Sequence, residues 1–537
     1  MNSCESDFLS TFLSFLFPSP ESHSMTCGSR KTSFGVFVDY AKWEFNAFLW
    51  ISLIAITLFL LRKVVRLLML WIQAAKIPGP PSPSFFGHSQ LFSRESLTGL
   101  LSDSHDRYGS VVKLWLGPTQ LLVSVKDPTL FKEMLLKAED KLPLTGRAFR
   151  LAFGPCSLFA SSFDKVQKRR ESLAVELNGR LLEKANVFPA KAMDCIMERV
   201  NKNMCKESVD CKMVSQHMAF TLLGTILFGD AFLTWSKANI YEELLMMIAK
   251  DACLWASYGV APFWKRGFWR YQCLCTKLKC LTQDIIHQCK KNYKLFRHAN
   301  QNNHDEITTA MESAFSTPSC SSNSLQEFSS HLFTKEEPCG NIMVVMFHGC
   351  LTTAGLIGNI LARLATHPEI QDSIYSEIVM AQKCSVDQDK HDVDKMLLLL
   401  ATIYESARLL SSGPLLQRCS LKHDLSFENG LTIPAGAVLV VPVQLVQVDN
   451  SKWGSDASKF NPYRFLSKEY DLLTDEQGAG KEDKEHSSFV LKDPNDNEAF
   501  LSFGFGTRAC LGQKFVIQGV ATLFASLLER YEVCARS

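Results

Sequence analysis

Residues 502–512 read SFGFGTRACLG, with a single thiol, Cys510, set among Gly504, Gly506 and Gly512, two phenylalanines and Arg508. A thiolate is a soft, strongly donating ligand, and a single one leaves a metal's other positions to a macrocycle and a small gas. To act so, the sulfur must be ionised and sheltered by backbone N–H groups and apolar cover. The three glycines permit a tight turn and close approach. Phe503 supplies cover, and Arg508 can meet an anionic carboxylate. A helix starting near Gly512 sets its positive end beneath the sulfur. Spacing alone leaves open an inert cysteine in a loop-to-helix turn.

Two further groups upstream carry polar chemistry. Glu405 and Arg408, three residues apart, share one face of a helix expected over residues 396–410. A run over residues 341–369 that carries no charge until Arg363 reads as a central helix buried on nearly every side rather than a second membrane span. It carries HGCLTT, in which His348 lies one turn from Thr352 on the same face.

The elements that must hold these groups are mostly helical. Residues 100–126 read as a helix followed by a β-hairpin, and residues 128–296 as amphipathic helices almost throughout. A polar stretch, 297–330, reads as a mobile surface loop, residues 428–444 as a β-pair, and residues 466–498 as a charged insertion. At 537 residues and 46% apolar the chain can bury a large core, and its net charge of +2 argues against a nucleic-acid partner. Its 18 cysteines are scattered and read as reduced, small apolar residues; Cys273, Cys275 and Cys280 lack a second half for a zinc site.

Residues 45–61, FNAFLWISLIAITLFLL, form an uncharged run followed at once by Arg62, Lys63 and Arg66. As a helix the run spans about 25 Å, enough to cross a bilayer once flanking aromatic and basic residues are added. It is expected to be the single membrane anchor, with the mass after it on the cytoplasmic side. Residues 1–44 form an N-terminal extension, residues 62–84 a basic and proline-rich hinge, and residues 85–537 the catalytic domain.

The spacing Phe503-x-x-Gly506-x-Arg508-x-Cys510-x-Gly512 resembles, without a mismatch, the haem-binding signature of the cytochrome P-450 superfamily. Glu405-x-x-Arg408 and Phe460-Asn461-Pro462-Tyr463-Arg464-Phe465 follow in the order found there, and the likeness extends over about residues 45–533. It implies a mainly α fold with small β-sheets, haem b with Cys510 as axial ligand, and a buried ion-pair triad of Glu405, Arg408 and Arg464. Arg170, Arg418 and Arg508 would hold the haem carboxylates. The implied reaction inserts one oxygen atom of O2 into a hydrophobic small molecule, with electrons from NADPH through a flavoprotein reductase. The implied setting is the endoplasmic reticulum membrane, with a plastid as the alternative. The apolar segments 140–160, 225–265 and 409–417 would line the substrate pocket.

The pattern departs in places. The family's (Ala/Gly)-Gly-x-(Asp/Glu)-Thr-(Thr/Ser) aligns with His348-Gly349-Cys350-Leu351-Thr352-Thr353. Thr352 would hydrogen-bond dioxygen, but Leu351 stands where an acid feeds protons. His348 is expected either to relay protons instead or to cap the iron, with a satisfied core histidine as the plain alternative. Val166 replaces a tryptophan that would bond a haem carboxylate. Only 27 residues follow Cys510, so the family's C-terminal β-hairpin is expected to be missing. These departures keep two alternatives open: a haem-thiolate isomerase or dehydratase acting on a hydroperoxide, and an inactive, truncated haem-binding protein.

Overall fold

The computed structural model describes residues 33–88, 97–154, 158, 162–203, 210–258, 262–302, 339–383, 392–411, 413–420, 422–468 and 489–535. The chain divides into one unit ending at Lys76 and a second beginning at Ile77. The boundary falls at the first helix breaker, Pro78, because Lys, Arg, Leu and Met ahead of it all favour helix.

The first unit is one helix, α1 (Ser33–Ala75). Its Trp43–Ala75 portion, 33 residues, has a mean hydropathy of 2.1 in its most apolar window. This corrects two sequence boundaries. The apolar helix does not end at residue 61, and Arg62, Lys63 and Arg66 lie within it rather than in a hinge. Basic side chains do not break a helix, and Lys63 folds back over the Phe59 ring one turn earlier, at 5.4 Å from its centroid. Residues 33–44 of the supposed extension are also helical. Residues 1–32 lie outside the described residues.

In the second unit α2 (Leu97–Tyr108) leads into β1 (Val111–Trp115) and β2 (Leu121–Val125), which pair antiparallel as the sequence predicts. Helices follow in succession: α3 (Pro128–Lys137), α4 (Pro143–Phe153), α5 (Gln167–Asn178), α6 (Arg180–Ala185), α7 (Phe188–Asn203), α8 (Cys211–Phe228), α9 (Ala238–Ser257) and α10 (Arg266–Asn302). The loop predicted from residue 297 begins later, since α10 runs to Asn302; residues 303–338 lie outside the described residues.

The central helix is α11 (Gly340–Thr366), followed by α12 (Pro368–Lys383) and α13 (Leu397–Leu409). By length and composition α11 too could cross a bilayer, yet 61% of its most apolar window is buried within the protein against none of α1's, which makes it a core helix. The start of α13 is joined to α12 by a carboxylate, as Glu377 on α12 accepts the N–H groups of Leu398 and Leu399 at 2.8 and 3.0 Å.

The predicted β-pair over residues 428–444 does not form a hairpin. β3 (Leu416–Arg418) and β6 (Val438–Val441) pair antiparallel, and β6 also lies parallel to β2, giving the order β1-β2-β6-β3. Thr432 and Ile433, as β5, instead pair with β4 (Leu425–Ser426). Every residue of β6 is buried, so it occupies the sheet interior, where apolar runs belong. Within the charged insertion, β7 (Leu466–Lys468) and β8 (Phe489–Leu491) pair antiparallel; residues 469–488 lie outside the described residues. The last helix is α14 (Gln513–Leu528). The tail after it is pinned reciprocally, Val533 N–H donating to Gln371 Oε1 at 2.9 Å and Gln371 Nε2 to the Val533 carbonyl at 3.2 Å.

Candidate active site

The Cys510 loop is held from both ends. Gly504 and Gly506 have φ of 78° and 72°, which an L side chain rarely adopts, and a Cβ at Gly506 would lie 3.0 Å from the Leu135 carbonyl oxygen. This close approach seats the loop on α3. The chain then turns through Gly506–Arg508, and the Cys510 N–H returns to the Phe503 carbonyl at 2.7 Å. Phe503 is partly buried and rests near the Phe500 ring, centroids 6.2 Å apart. Gly512 differs from the sequence expectation: its φ is −101° and a Cβ there would meet only ordinary contacts. What it contributes is its N–H, which donates to the Cys510 sulfur at the start of α14.

Cys510 is exposed, yet surrounding protein raises its pKa through burial, opposed by the Gly512 N–H and by the charges of Arg170 and Lys141. A group both accessible and crowded lines a recess rather than an outer surface.

Cations gather at that recess. Arg170, on α5, donates through Nη2 to the Ala509 carbonyl at 2.7 Å, joining α5 to the residue before the cysteine. Arg508 donates through Nε to the Glu139 carbonyl at 2.8 Å and covers the Phe163 ring at 5.0 Å. Arg418, on β3, donates through Nη1 to the Gln417 carbonyl at 2.9 Å. Its Nε is buried with no hydrogen-bond partner among the described residues. Burial, and then the charge of Arg170, pushes Arg508 down to about 10; burial, and then Arg508 and Arg170, does the same to Arg418.

Lys141 joins this group, a residue that sequence reasoning missed. Burial, followed by the charges of Arg418, Arg508 and Arg170, holds its ammonium well below the usual lysine range. Its segment is knitted between the cysteine loop and β3. Besides the Arg508–Glu139 bond, Cys419 N–H donates to the Asp140 carbonyl at 3.0 Å and Cys419 Sγ to the Lys141 carbonyl at 3.3 Å. No local pattern marks Lys141, because its charged neighbours Arg170, Arg418 and Arg508 come from segments well downstream, two of them hundreds of residues away. Val166, where a tryptophan was expected, is fully buried at the start of α5 and offers no donor. Crowded like charges and the orphaned Arg418 Nε are what a ligand with buried carboxylates would satisfy, so the residues present fit haem.

Behind the loop, the predicted triad is assembled. Arg408 clasps Glu405 with Nε and Nη2 at 2.7 and 2.8 Å, and both side chains are fully buried. Arg464 Nε reaches the same carboxylate at 3.0 Å, as does the Asn461 N–H, also at 3.0 Å. Arg408 also bonds the carbonyls of Gln447 and Ala457 and lies over the Trp453 ring. One carboxylate thus ties α13 to the FNPYRF segment, with its oxygens satisfied, as a buried charge requires.

On α11 the picture is looser. Thr352 Oγ1 donates to the carbonyls of His348, at 2.9 Å, and Gly349, at 3.3 Å. Thr353 is buried with its Oγ1 unpartnered among the described residues. Gly349 faces α8, where a Cβ would come within 2.8 Å of a Leu223 methyl, so its smallness permits the helix crossing. Leu351 is 36% exposed and holds no proton to give. His348 is half-buried. Burial, and then the Lys141 charge, lowers its pKa to about 4, so its imidazole is neutral at physiological pH. The Lys141 charge acts on both His348 and Cys510.

Comparison with known proteins agrees with this geometry. The family model described as Cytochrome P450 matches residues 77–536. Probable cytochrome P450 313a3 of Drosophila melanogaster is 22% identical over 86% of this chain and 89% of its own. Cytochrome P450 4A24 of Sus scrofa is 24% identical over 90% and 91%, and the 11-oxo-beta-amyrin 30-oxidase of Glycyrrhiza uralensis 25% over 79% and 76%. The chain belongs to the cytochrome P450 family, whose members are haem-thiolate oxidoreductases that incorporate oxygen.

Proposed function

We propose that this chain is a membrane-anchored monooxygenase that oxidises a hydrophobic small molecule, drawing electrons from NADPH through a flavoprotein reductase. The observation that carries the reading is the Cys510 loop: a crowded, accessible sulfur that accepts the Gly512 N–H and faces buried cations. Bound there, haem supplies the redox chemistry that activates O2. Cys510 would hold its iron, while Gly512 N–H and the α14 N-terminus would stabilise negative charge on the sulfur. Arg170, Arg418, Arg508 and Lys141 would hold its two carboxylates.

On the distal side, Thr352 steadies dioxygen by turning its hydroxyl away from its own helix carbonyls. His348, neutral at its Nε2 or Nδ1, accepts and hands on a proton in place of the acid that Leu351 cannot supply. The apolar walls around it exclude water and favour a hydrophobic substrate.

Membrane attachment is supported by α1 and by a second lipid-seeking feature. Phe263, Trp264 and Trp269 are exposed at 63, 63 and 57%, among Lys265, Arg266 and Arg270. We place the protein in the endoplasmic reticulum membrane, with the second unit on the cytoplasmic side.

The test is spectroscopic, then kinetic. Reduced protein under carbon monoxide should show the red-shifted Soret band of thiolate-bound haem, and O2 uptake with an apolar substrate should require NADPH and reductase. Absence of the band would overturn the reading. Consumption of a fatty-acid hydroperoxide without reductase would replace it with the isomerase.

A further inference from the structure

Between two of the three apolar stretches expected to line the pocket, one part-buried polar clamp is unexplained by haem binding or catalysis. Arg147, on α4, sends Nη1 to the carbonyls of Ala256 and Tyr258, at 3.1 and 2.8 Å. These are the last carbonyls of α9, which ends at Ser257 with Tyr258 extended, at φ −69° and ψ 126°. A helix end leaves such carbonyls without backbone partners and carries negative partial charge, so a guanidinium there both caps and neutralises it.

The position of α4 gives this clamp its meaning. Two residues before its start is Lys141, whose charge lies among those of Arg170, Arg418 and Arg508. At its end, the Phe153 ring meets Phe347 edge-on, centroids 4.8 Å apart, and Phe347 directly precedes His348. So α4 spans the site from the carboxylate-binding cations to the distal helix. Across it, α9 opens beside α11, where Tyr241 and Glu242 sense Cys350, two residues beyond His348. Its far end is an aromatic block: Trp255 lies 6.1 Å from Tyr258, 5.8 Å from Phe268 and 6.2 Å from Tyr271. The Tyr258 hydroxyl in turn accepts from Lys265 at 2.6 Å.

We propose that Arg147 is a positioning residue that sets the spacing between α4 and the end of α9, and through it which ligands enter and how long they stay. The inference rests on the proposed haem site, since the walls matter only if the recess is occupied. The clamp is one side chain bridging the two helices, so breaking it lets them part without unmaking the core. A long ligand must pass between such walls, whereas a small one senses them little.

The experiment uses the full-length haem-loaded chain and two iron-ligating probes, imidazole and n-octylamine, with binding followed by the Soret shift in stopped flow. Arg147→Ala should accelerate n-octylamine dissociation roughly tenfold, the loss of two charge-assisted hydrogen bonds being partly offset by water. Imidazole kinetics should stay within about twofold, because a purely local iron ligand does not span the walls. Arg147→Lys, a point charge that keeps one bond, should fall between. Arg150→Ala, on the same helix, controls for general loosening.

Unchanged n-octylamine rates in Arg147→Ala, with the thiolate band intact, would overturn the proposal. So would equal acceleration by Arg150→Ala, which would mean that α4 stability alone is at work. If Arg147→Ala does not fold, unchanged n-octylamine rates in Arg147→Lys decide against it. A wild-type chain lacking the thiolate band would overturn the haem reading itself, an outcome visible before any variant is made.

Discussion

The two sides of the recess are built differently. On the proximal side the cysteine loop and the acid triad are tied by hydrogen bonds between distant segments: Cys510 N–H on Phe503, Arg170 on Ala509, and the Glu405 carboxylate shared by Arg408, Arg464 and the Asn461 N–H. On the distal side Thr352 donates into its own helix, the Thr353 hydroxyl has no partner among the described residues, and Leu351 is partly exposed. A thiolate ligand demands fixed geometry and a shielded charge, so its surroundings are over-determined. A distal wall must admit substrate and move protons, which a fully satisfied network would resist.

Breaking the proximal side should therefore cost most. Cys510→Ser should abolish the red-shifted carbon monoxide band and all turnover, as an alcohol cannot replace a thiolate; a retained band would show that another residue holds the iron. Next comes Glu405→Gln. It keeps the shape but leaves the buried Arg408 guanidinium without a counter-charge and Arg464 with only Asp456, and about 3–5 kcal/mol of stability should be lost in urea unfolding.

Smaller is the effect at the carboxylate cradle. Arg418→Leu should weaken haem retention by about 1–3 kcal/mol, roughly 5- to 150-fold, measured by haem transfer to a scavenging apoprotein. A loss no larger than that from substituting a surface arginine would separate Arg418 from the cradle.

The distal side sharpens the comparison at low pH. His348 has a folded pKa near 4 against an ordinary 6.5, so the unfolded chain takes up a proton that the folded chain refuses. Its contribution to stability is complete above pH 6.5 and is lost as the pH falls towards 4. We expect on the order of 1–2 kcal/mol, reduced from the full linkage because the ring is only half-buried. Thermal melts of His348→Gln should decline less than wild type over that window, and parallel curves would show that the imidazole is not held neutral.

The sequence by itself determined what depends on short spacing. The cysteine loop, the Glu405–Arg408 pair and the central apolar helix each follow from neighbours within a turn or two, where backbone geometry leaves little freedom. The likeness of these motifs to one family then pointed to Arg464, Arg170 and Arg418, which the fold sets at the Glu405 carboxylate, at the Ala509 carbonyl and near the charges of Arg508 and Arg170.

Only the tertiary structure decided the rest, because the partners are distant in the chain. Lys141 acquires its meaning from Arg418, Arg508 and Arg170, and Arg147 from the carbonyls at the end of α9. Gly349 is read correctly only beside Leu223, and the β-pair over 428–444 came apart because β6 found β2 and β3 instead of β5. Local propensity proposes an element, but burial and long-range pairing choose its neighbours, and it is neighbours that make the site.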